Sequence, residues 1–218
     1  VRPDVAIITN AGAAHLEGFG DLDGVACAKG EIFQGLPLDG AAIINNDDRY
    51  ADLWRNLIAA RRLVTFAIEH PADVMATNIT LNHHSLPRFQ LCLPYDDIEI
   101  NLPLMGQHNV MNALAAAAAA YALDVPLAAI KHGLEAVSAV KRRLNEYKGF
   151  RGATIIDDSY NASPASMKAA FAKLKALRDA GVAKGRLVAV LGDMLEMGED
   201  AEQMHRDLLA PIMDAGID

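Results

Sequence analysis

The strongest constraint on the fold is the repeated order of apolar strand, polar loop and helix over residues 4–48. DVAIITN (4–10) is an apolar run that ends in polar residues, a helix reads from 22 to 34, and AAIINNDD (41–48) repeats the first pattern. Two apolar runs joined by a helix make a βαβ unit, whose strands pair in parallel. Asp21 stands where a helix N-cap belongs. Leu22, Val25, Ala26, Lys29, Ile32 and Phe33 recur at helical spacing and form one face, apolar except for Lys29. Two readings of Lys29 stay open. Either its stem lies along apolar surface with the charge in water, or it is held at a site where the charge is compensated or chemically removed. A buried, unpaired ammonium is too costly to be a third reading.

Further along, a second helix is expected over 50–60. The runs LVTFAI, DVMATNITLN, RFQLCLPY and IEINLPL, within 62–103, are β-rich with turn residues between them and read as a small antiparallel set. GQHNVMNALAAAAAAYAL then opens a helix, because alanine is the best helix former; another helix is expected over 126–137. KRRLNEYKGFRGA (141–153) is basic and polar, and reads as a domain boundary. After it the pattern restarts: TIIDD as a strand, Ser163-Pro164 as N-cap and first helical residue of a helix to 178, RLVAVLGD as a strand, and a helix over 200–214. That order, β-α-β-α, begins a doubly wound sheet. The fold class is α/β: residues 1–140 with a parallel sheet and a small antiparallel section, and residues 141–218 as the start of a doubly wound, Rossmann-like sheet.

Composition narrows the function classes. With a net charge of −8 the chain carries no general footprint for nucleic acid or anionic membranes. Its longest apolar run, ALAAAAAAYAL, is too short to span a bilayer, and no signal-peptide pattern opens the chain. Cys27 and Cys92 have no metal or disulfide spacing and suit a reducing compartment. A soluble cytoplasmic monomer without nucleic-acid or membrane partners is expected. The chain starts at Val1 rather than Met and stops after a helix, so a piece of a longer protein is expected as well.

Groups capable of chemistry collect after strands, where α/β sheets bind ligands. Asn10 and His15 follow the first strand, Asn45 and Asp47 the second, Asp157, Asp158, Tyr160 and Asn161 the strand TIID, and Asp193 the run RLVAVLG. His15 is either a metal ligand or acid/base group or structural. His108, Asn109 and Asn112 sit at a helix start; the two asparagines share a face and either offer amide edges to a base or cap the helix. Arg142 and Arg143 either grip phosphate through a bidentate fork or solubilise a linker. No GxxxxGK[ST] phosphate loop is present. The residues alone thus give a two-domain α/β protein with a cleft for an anionic ligand.

TNAGAAHLEGFGDLDGVACAKGEIF, NNDD, GQHNVMNALAAAAAA, the RRL of VKRRL, DDSYNASPASM and LGDMLEMG occur in that order. Together they resemble the Mur ligase family along essentially the whole chain. DDSYNASP and LGDMLEMG are similar to the member that joins D-alanyl-D-alanine to a UDP-N-acetylmuramoyl-tripeptide. The resemblance implies an ATP-dependent, magnesium-dependent amide ligase working through an acyl phosphate in peptidoglycan precursor synthesis. It also implies that residues 1–140 are the latter part of a P-loop-type central ATPase domain and residues 141–218 the first part of a Rossmann-like C-terminal domain. On that reading the phosphate loop and UDP-sugar domain lie ahead of Val1 and the rest of the third domain after Asp218, so that residues 1–218 by themselves are expected to be inactive.

By the same resemblance Lys29 matches a lysine carbamylated by CO2, which the apolar face would favour because a desolvated lysine more readily presents a neutral, nucleophilic amine. His15 matches a metal position, with the Lys29 carbamate beside it, and Asn10 belongs to the same catalytic group. His108, Asn109 and Asn112 match positions near adenine, Arg143 a phosphate-contacting arginine, and Asp158 a nucleotide-contacting acid. Tyr160, Asn161 and Asp193 fall on the amine-substrate side. Where the family usually has glycine before the arginine, this sequence has Arg142. A folylpolyglutamate- or cyanophycin-synthetase-like ligase shares the architecture, and a non-catalytic nucleotide-binding module is the alternative outside enzymes.

Overall fold

The computed structural model describes residues 2–12, 16–82, 86–138 and 140–218. In chain order its elements are β1 (Val5–Ile8), α1 (Leu16–Phe19), α2 (Leu22–Gly30), a 3-10 turn (Glu31–Gly35), β2 (Ala41–Asn45), α3 (Ala51–Ile58), β3 (Arg62–Ala67), β4 (Val74–Leu81), β5 (Pro87–Cys92), β6 (Asp97–Asn101), α4 (Gln107–Ala122) and α5 (Leu127–Glu135). There follow β7 (Asn145–Lys148), β8 (Thr154–Asp157), α6 (Pro164–Asp179), α7 (Ala201–Arg206) and α8 (Leu209–Asp214). The backbone divides into two compact units, Val1–Ala11 with Ala26–Ser138, and Gly12–Val25 with Ala139–Asp218.

In the first unit β1 to β6 form one sheet in sequence order. β1, β2, β3 and β4 pair in parallel, and β4, β5 and β6 antiparallel. LVTFAI, expected in an antiparallel set, is β3 and belongs to the parallel part. The switch comes within β4, which pairs with β3 only at Val74 and Met75 and with β5 along most of its length. Every residue of β2 is buried, as expected of a central parallel strand covered on both faces. Ala41 and Ile43 join the core under α4, whose Val110, Leu114, Ala117 and Ala118 are fully buried. Alanine at the contact lets helix and sheet approach closely. Trp54 of α3 is fully buried, and its Nε1–H donates to the Ala26 carbonyl at 2.9 Å, tying α3 to α2. Gly30 sits at that crossing: a Cβ there would come 2.5 Å from the Leu57 side chain.

The second unit differs from the sequence expectation in two places. β8 pairs with β7, antiparallel, and RLVAVLGD forms no strand among the described residues. A strand needs ladder partners, and among the described residues the backbone here pairs only where Asp218 N–H donates to the Leu187 carbonyl. The helix expected over 200–214 is two, because Pro211 has no N–H to return to the carbonyl of Asp207. α6 begins as expected, with Ser163 and Ser166 exchanging side-chain and backbone bonds in a capping box. Its Met167 and Phe171 pack with Met194, Met197, Leu208 and Ala215. Among the described residues no helix is long and apolar enough to cross a membrane.

Candidate functional site

Polar groups of the first unit gather beyond the carboxyl ends of its parallel strands. The buried Asn45 closes β2: its Nδ2 donates to the Thr9 carbonyl at 3.0 Å and its Oδ1 accepts from Asp47 N–H at 2.9 Å. Asp48 accepts from the N–H groups of Ala11 and Tyr50, both at 2.9 Å. Asp47 reaches the next strand end, where it accepts from the N–H groups of Ile68 at 2.6 Å, Glu69 at 3.1 Å and His70 at 2.9 Å. The His70 ring Nδ1 lies 2.9 Å from the same carboxylate. Burial pushes the Asp47 carboxyl up, but the Ile68, His70 and Glu69 backbone donors and the His70 ring outweigh it and hold it below its ordinary value. NNDD is thus a lashing that joins three strand ends. The sequence reading passed over Asp48, although it stands in the same motif.

Two clefts open at this edge. One, of about 380 Å³, is lined by Asp47, Ile68, Glu69, Gln107, His108 and Met111. Ile68 and Met111 give it apolar walls, and Gln107 and His108 bring polar edges from the head of α4. Asn109 and Asn112 share a helix face as the spacing predicts, and bond to each other: Asn112 Nδ2 donates to Asn109 Oδ1 at 3.2 Å, while Asn109 Nδ2 donates to the Met105 carbonyl at 2.7 Å. The second cleft, about 330 Å³, is lined by Ile7, Ile8, Thr9, Ala28, Lys29 and Ile32. Lys29 Nζ donates to the Asn10 carbonyl at 2.8 Å, so these two residues are brought together. The face around Lys29 is narrower than its spacing implies. Val25, Ala26 and Phe33 are buried, but Lys29 and Ile32 are exposed, because α2 ends at Gly30 and tightens into the 3-10 turn. Lys29 is therefore not enclosed by apolar surface. His15 lies outside the described residues.

The second unit brings Arg143, Asp158 and Tyr160 together. The Arg143 guanidinium stacks over the Tyr160 ring, 4.2 Å from its centroid. Tyr160 N–H donates to the Arg142 carbonyl at 3.1 Å, and Leu144 N–H to Asp158 Oδ1 at 3.2 Å. Asn161 accepts from Ala162 N–H at 2.9 Å. Asp157 accepts from Ser159, and the Ser159 side chain and backbone, with the Arg142 charge behind them, hold its carboxyl below the usual range. Asp193 is exposed on a separate loop whose Met194 and Met197 side chains are buried.

A mixed sheet with polar lashings and clefts beyond its parallel strand ends is the architecture of a ligand-binding α/β domain. Residues 1–120 match the Mur ligase middle domain, and residues 142–218 the Mur ligase, glutamate ligase domain. The chain belongs to the Mur ligase family. It is 42% identical over 218 residues, its whole length, to the UDP-N-acetylmuramoyl-tripeptide–D-alanyl-D-alanine ligase of Escherichia coli K12, covering 47% of that protein. Its fold matches a crystal structure of MurF from Acinetobacter baumannii with a TM-score of 0.85 and 39% identity, over 95% of this chain and 44% of that one. It also matches the fold of MurF ligase from Thermotoga maritima in complex with ADP, with a TM-score of 0.78 and 24% identity, over 97% of this chain and 47% of that one. The chain spans about half the length of the curated relatives it matches.

Proposed function

We propose that the chain serves an ATP-dependent carboxylate–amine ligase that joins D-alanyl-D-alanine to a UDP-N-acetylmuramoyl-tripeptide. The observation that carries this reading is the 42% identity with a ligase of that name along all 218 residues. ATP supplies the γ-phosphoryl group that turns the tripeptide carboxylate into an acyl phosphate, which the dipeptide amine displaces through a tetrahedral intermediate. Catalysis of this kind is mostly positioning and charge stabilisation.

The cleft of Ile68, Met111, Gln107 and His108 suits a flat heteroaromatic base, with apolar walls against its faces and polar groups at its edges. Asn109 and Asn112 brace the helix beside it. Arg143 offers a planar fork to phosphate oxygens, and Asp158, which holds Leu144 N–H, accepts from a nucleotide hydroxyl. On the amine side, Tyr160 and Asn161 line the approach and the exposed Asp193 carboxylate attracts the dipeptide ammonium. Lys29 reacts through its neutral amine with CO2, losing one proton, and becomes an anion beside the Asn10 carbonyl. Among the described residues no three His, Cys, Asp or Glu side chains converge to hold a metal. They do not by themselves fit a resident magnesium ion; the carbamate oxygens and His15 are the donors that would have to complete one.

The test is ligation by the enzyme that carries this chain, read by phosphate release and product mass, with D-alanyl-D-alanine and with glutamate as competing amines. Product with the dipeptide alone is expected. Product with glutamate and none with the dipeptide would overturn the reading in favour of a folylpolyglutamate-type ligase.

A further inference from the structure

LGDMLEMG, residues 191–198, carries Asp193 but has no regular secondary structure around that residue. Its side chains explain half of its order: Met194 and Met197 are buried in the core of the second unit, whereas Asp193, Leu195 and Glu196 face outward. Its backbone is held at Glu196, whose carbonyl accepts from Glu17 N–H at 3.5 Å, and beside Asp193 by His205 on α7. The N–H of Met194 lies 3.0 Å from His205 Nε2, and His205 Nδ1 lies 2.7 Å from the Ala201 carbonyl.

These two contacts determine where the imidazole proton sits. A carbonyl oxygen only accepts, so Nδ1 carries the hydrogen. A backbone N–H only donates, so Nε2 is bare. With both bonds made, the ring is held in one tautomer, bonded at both nitrogens. The other tautomer does not satisfy both partners.

We propose that His205 is the positioning residue of the Asp193 loop: its bare Nε2 accepts the Met194 N–H and fixes the backbone that presents the Asp193 carboxylate to the amine substrate. The ring spans from α7 to the loop at the residue following Asp193, so a change at His205 displaces Asp193 without touching it. The benefit for the amine rests on the reading of Asp193 given above; the bracket itself rests on the two distances.

Nitrogen-15 NMR of the chain labelled at histidine tests the bracket without any variant. A Nδ1–H neutral signature for His205 at neutral pH is expected; an Nε2–H or imidazolium signature overturns the proposal. His205→Ala should speed hydrogen exchange at Met194 roughly two- to tenfold, the factor of one lost hydrogen bond, while amides of β2 and α4 keep their protection. His205→Gln, whose side-chain oxygen can accept the same N–H, should restore the slow exchange. Equal exchange at Met194 in the wild type and the alanine variant overturns the proposal. Titration with D-alanyl-D-alanine then separates the two readings. Shifts at Asp193–Glu196 that weaken in His205→Ala support both. A wild type with the Nδ1–H tautomer and no dipeptide shifts keeps the bracket and overturns the amine site.

Discussion

The Arg143 guanidinium is stacked on the Tyr160 ring, with 4.2 Å between its central carbon and the ring centroid. The two segments that carry these residues are bound at the backbone as well, through Tyr160 N–H to the Arg142 carbonyl and Leu144 N–H to Asp158. An arginine that would otherwise wave on an exposed loop is thus kept flat against a surface. That preparation suits the role proposed for Arg143, a fork that meets phosphate oxygens with both prongs.

Arg143→Ala in the enzyme that carries this chain should lower kcat/KM for ATP by about ten- to a hundredfold, the loss of a charge-assisted bond worth roughly 1.5–3 kcal/mol. The fold should survive, since the side chain is exposed. Tyr160→Phe should keep the stack, and Tyr160→Ala should lose about 0.5–1 kcal/mol of it. Steady-state kinetics beside urea unfolding of each variant checks this. Unchanged kinetics for Arg143→Ala would move the role to Arg142.

Arg142 sits at φ 63°, in the left-handed region. A side chain there costs about 1–2 kcal/mol, and glycine gives back about 0.5–1 kcal/mol through the freedom it gains in the unfolded chain. Arg142→Gly is therefore expected to stabilise the second unit by roughly 0.5–1 kcal/mol, seen as a higher urea midpoint at constant slope. It should also let the Asp157 carboxyl rise somewhat, because its positive charge is one of the groups holding that carboxyl down. A lower midpoint would show that the arginine makes a contact outweighing its backbone strain.

The parallel strands, the alanine helix and the Ser163-Pro164 helix start were legible because each rests on local sequence: apolar runs, propensity and a cap. The strand expected at RLVAVLGD was not, since pairing depends on a neighbour that no local pattern reports. Site residues at strand ends were legible as a class. Their partners were not: nothing in NNDD says that Asp47 binds amides more than twenty residues away. His205 escaped notice because a histidine within a helix carries no signal until the loop it reaches is placed beside it. The resemblance supplied roles for Lys29 and Arg143; the exposure of one and the stack of the other required the fold.

Asp47 makes stability depend on acid. Its carboxyl is lower in the folded chain than when unfolded, so its stabilisation is present in full above the ordinary carboxylate pKa of about 3.9 and disappears as pH falls through the lower folded value. Asp47→Ala leaves the N–H groups of Ile68, Glu69 and His70 without their acceptor and should cost about 1–3 kcal/mol at neutral pH. The gap between variant and wild type should shrink below about pH 4. Unfolding at neutral and acid pH measures both. A gap that stays constant on acidification would show that the carboxylate charge is not what holds the β3–β4 connection.

Lys29 decides between a structural lysine and a chemical one. It is exposed, lines the cleft beside β1 and donates to the Asn10 carbonyl at 2.8 Å. Lys29→Ala removes that bond and slightly improves helix propensity, so stability should change by no more than about 1 kcal/mol. If the lysine is only laid along the surface, activity of the enzyme that carries this chain is unchanged too. If it works as a carbamate, the same substitution nearly abolishes turnover without unfolding the protein. An added short-chain carboxylic acid, which brings back an anion of similar size into the cleft, then restores part of the rate. Carbon-13 NMR under labelled CO2 gives a readout apart from activity: a carbamate signal in the wild type that is absent from Lys29→Ala. The outcomes differ in kind, since the structural reading predicts neither a loss nor a rescue. Normal turnover in the alanine variant would leave Lys29 with its hydrogen bond to Asn10 as its entire role.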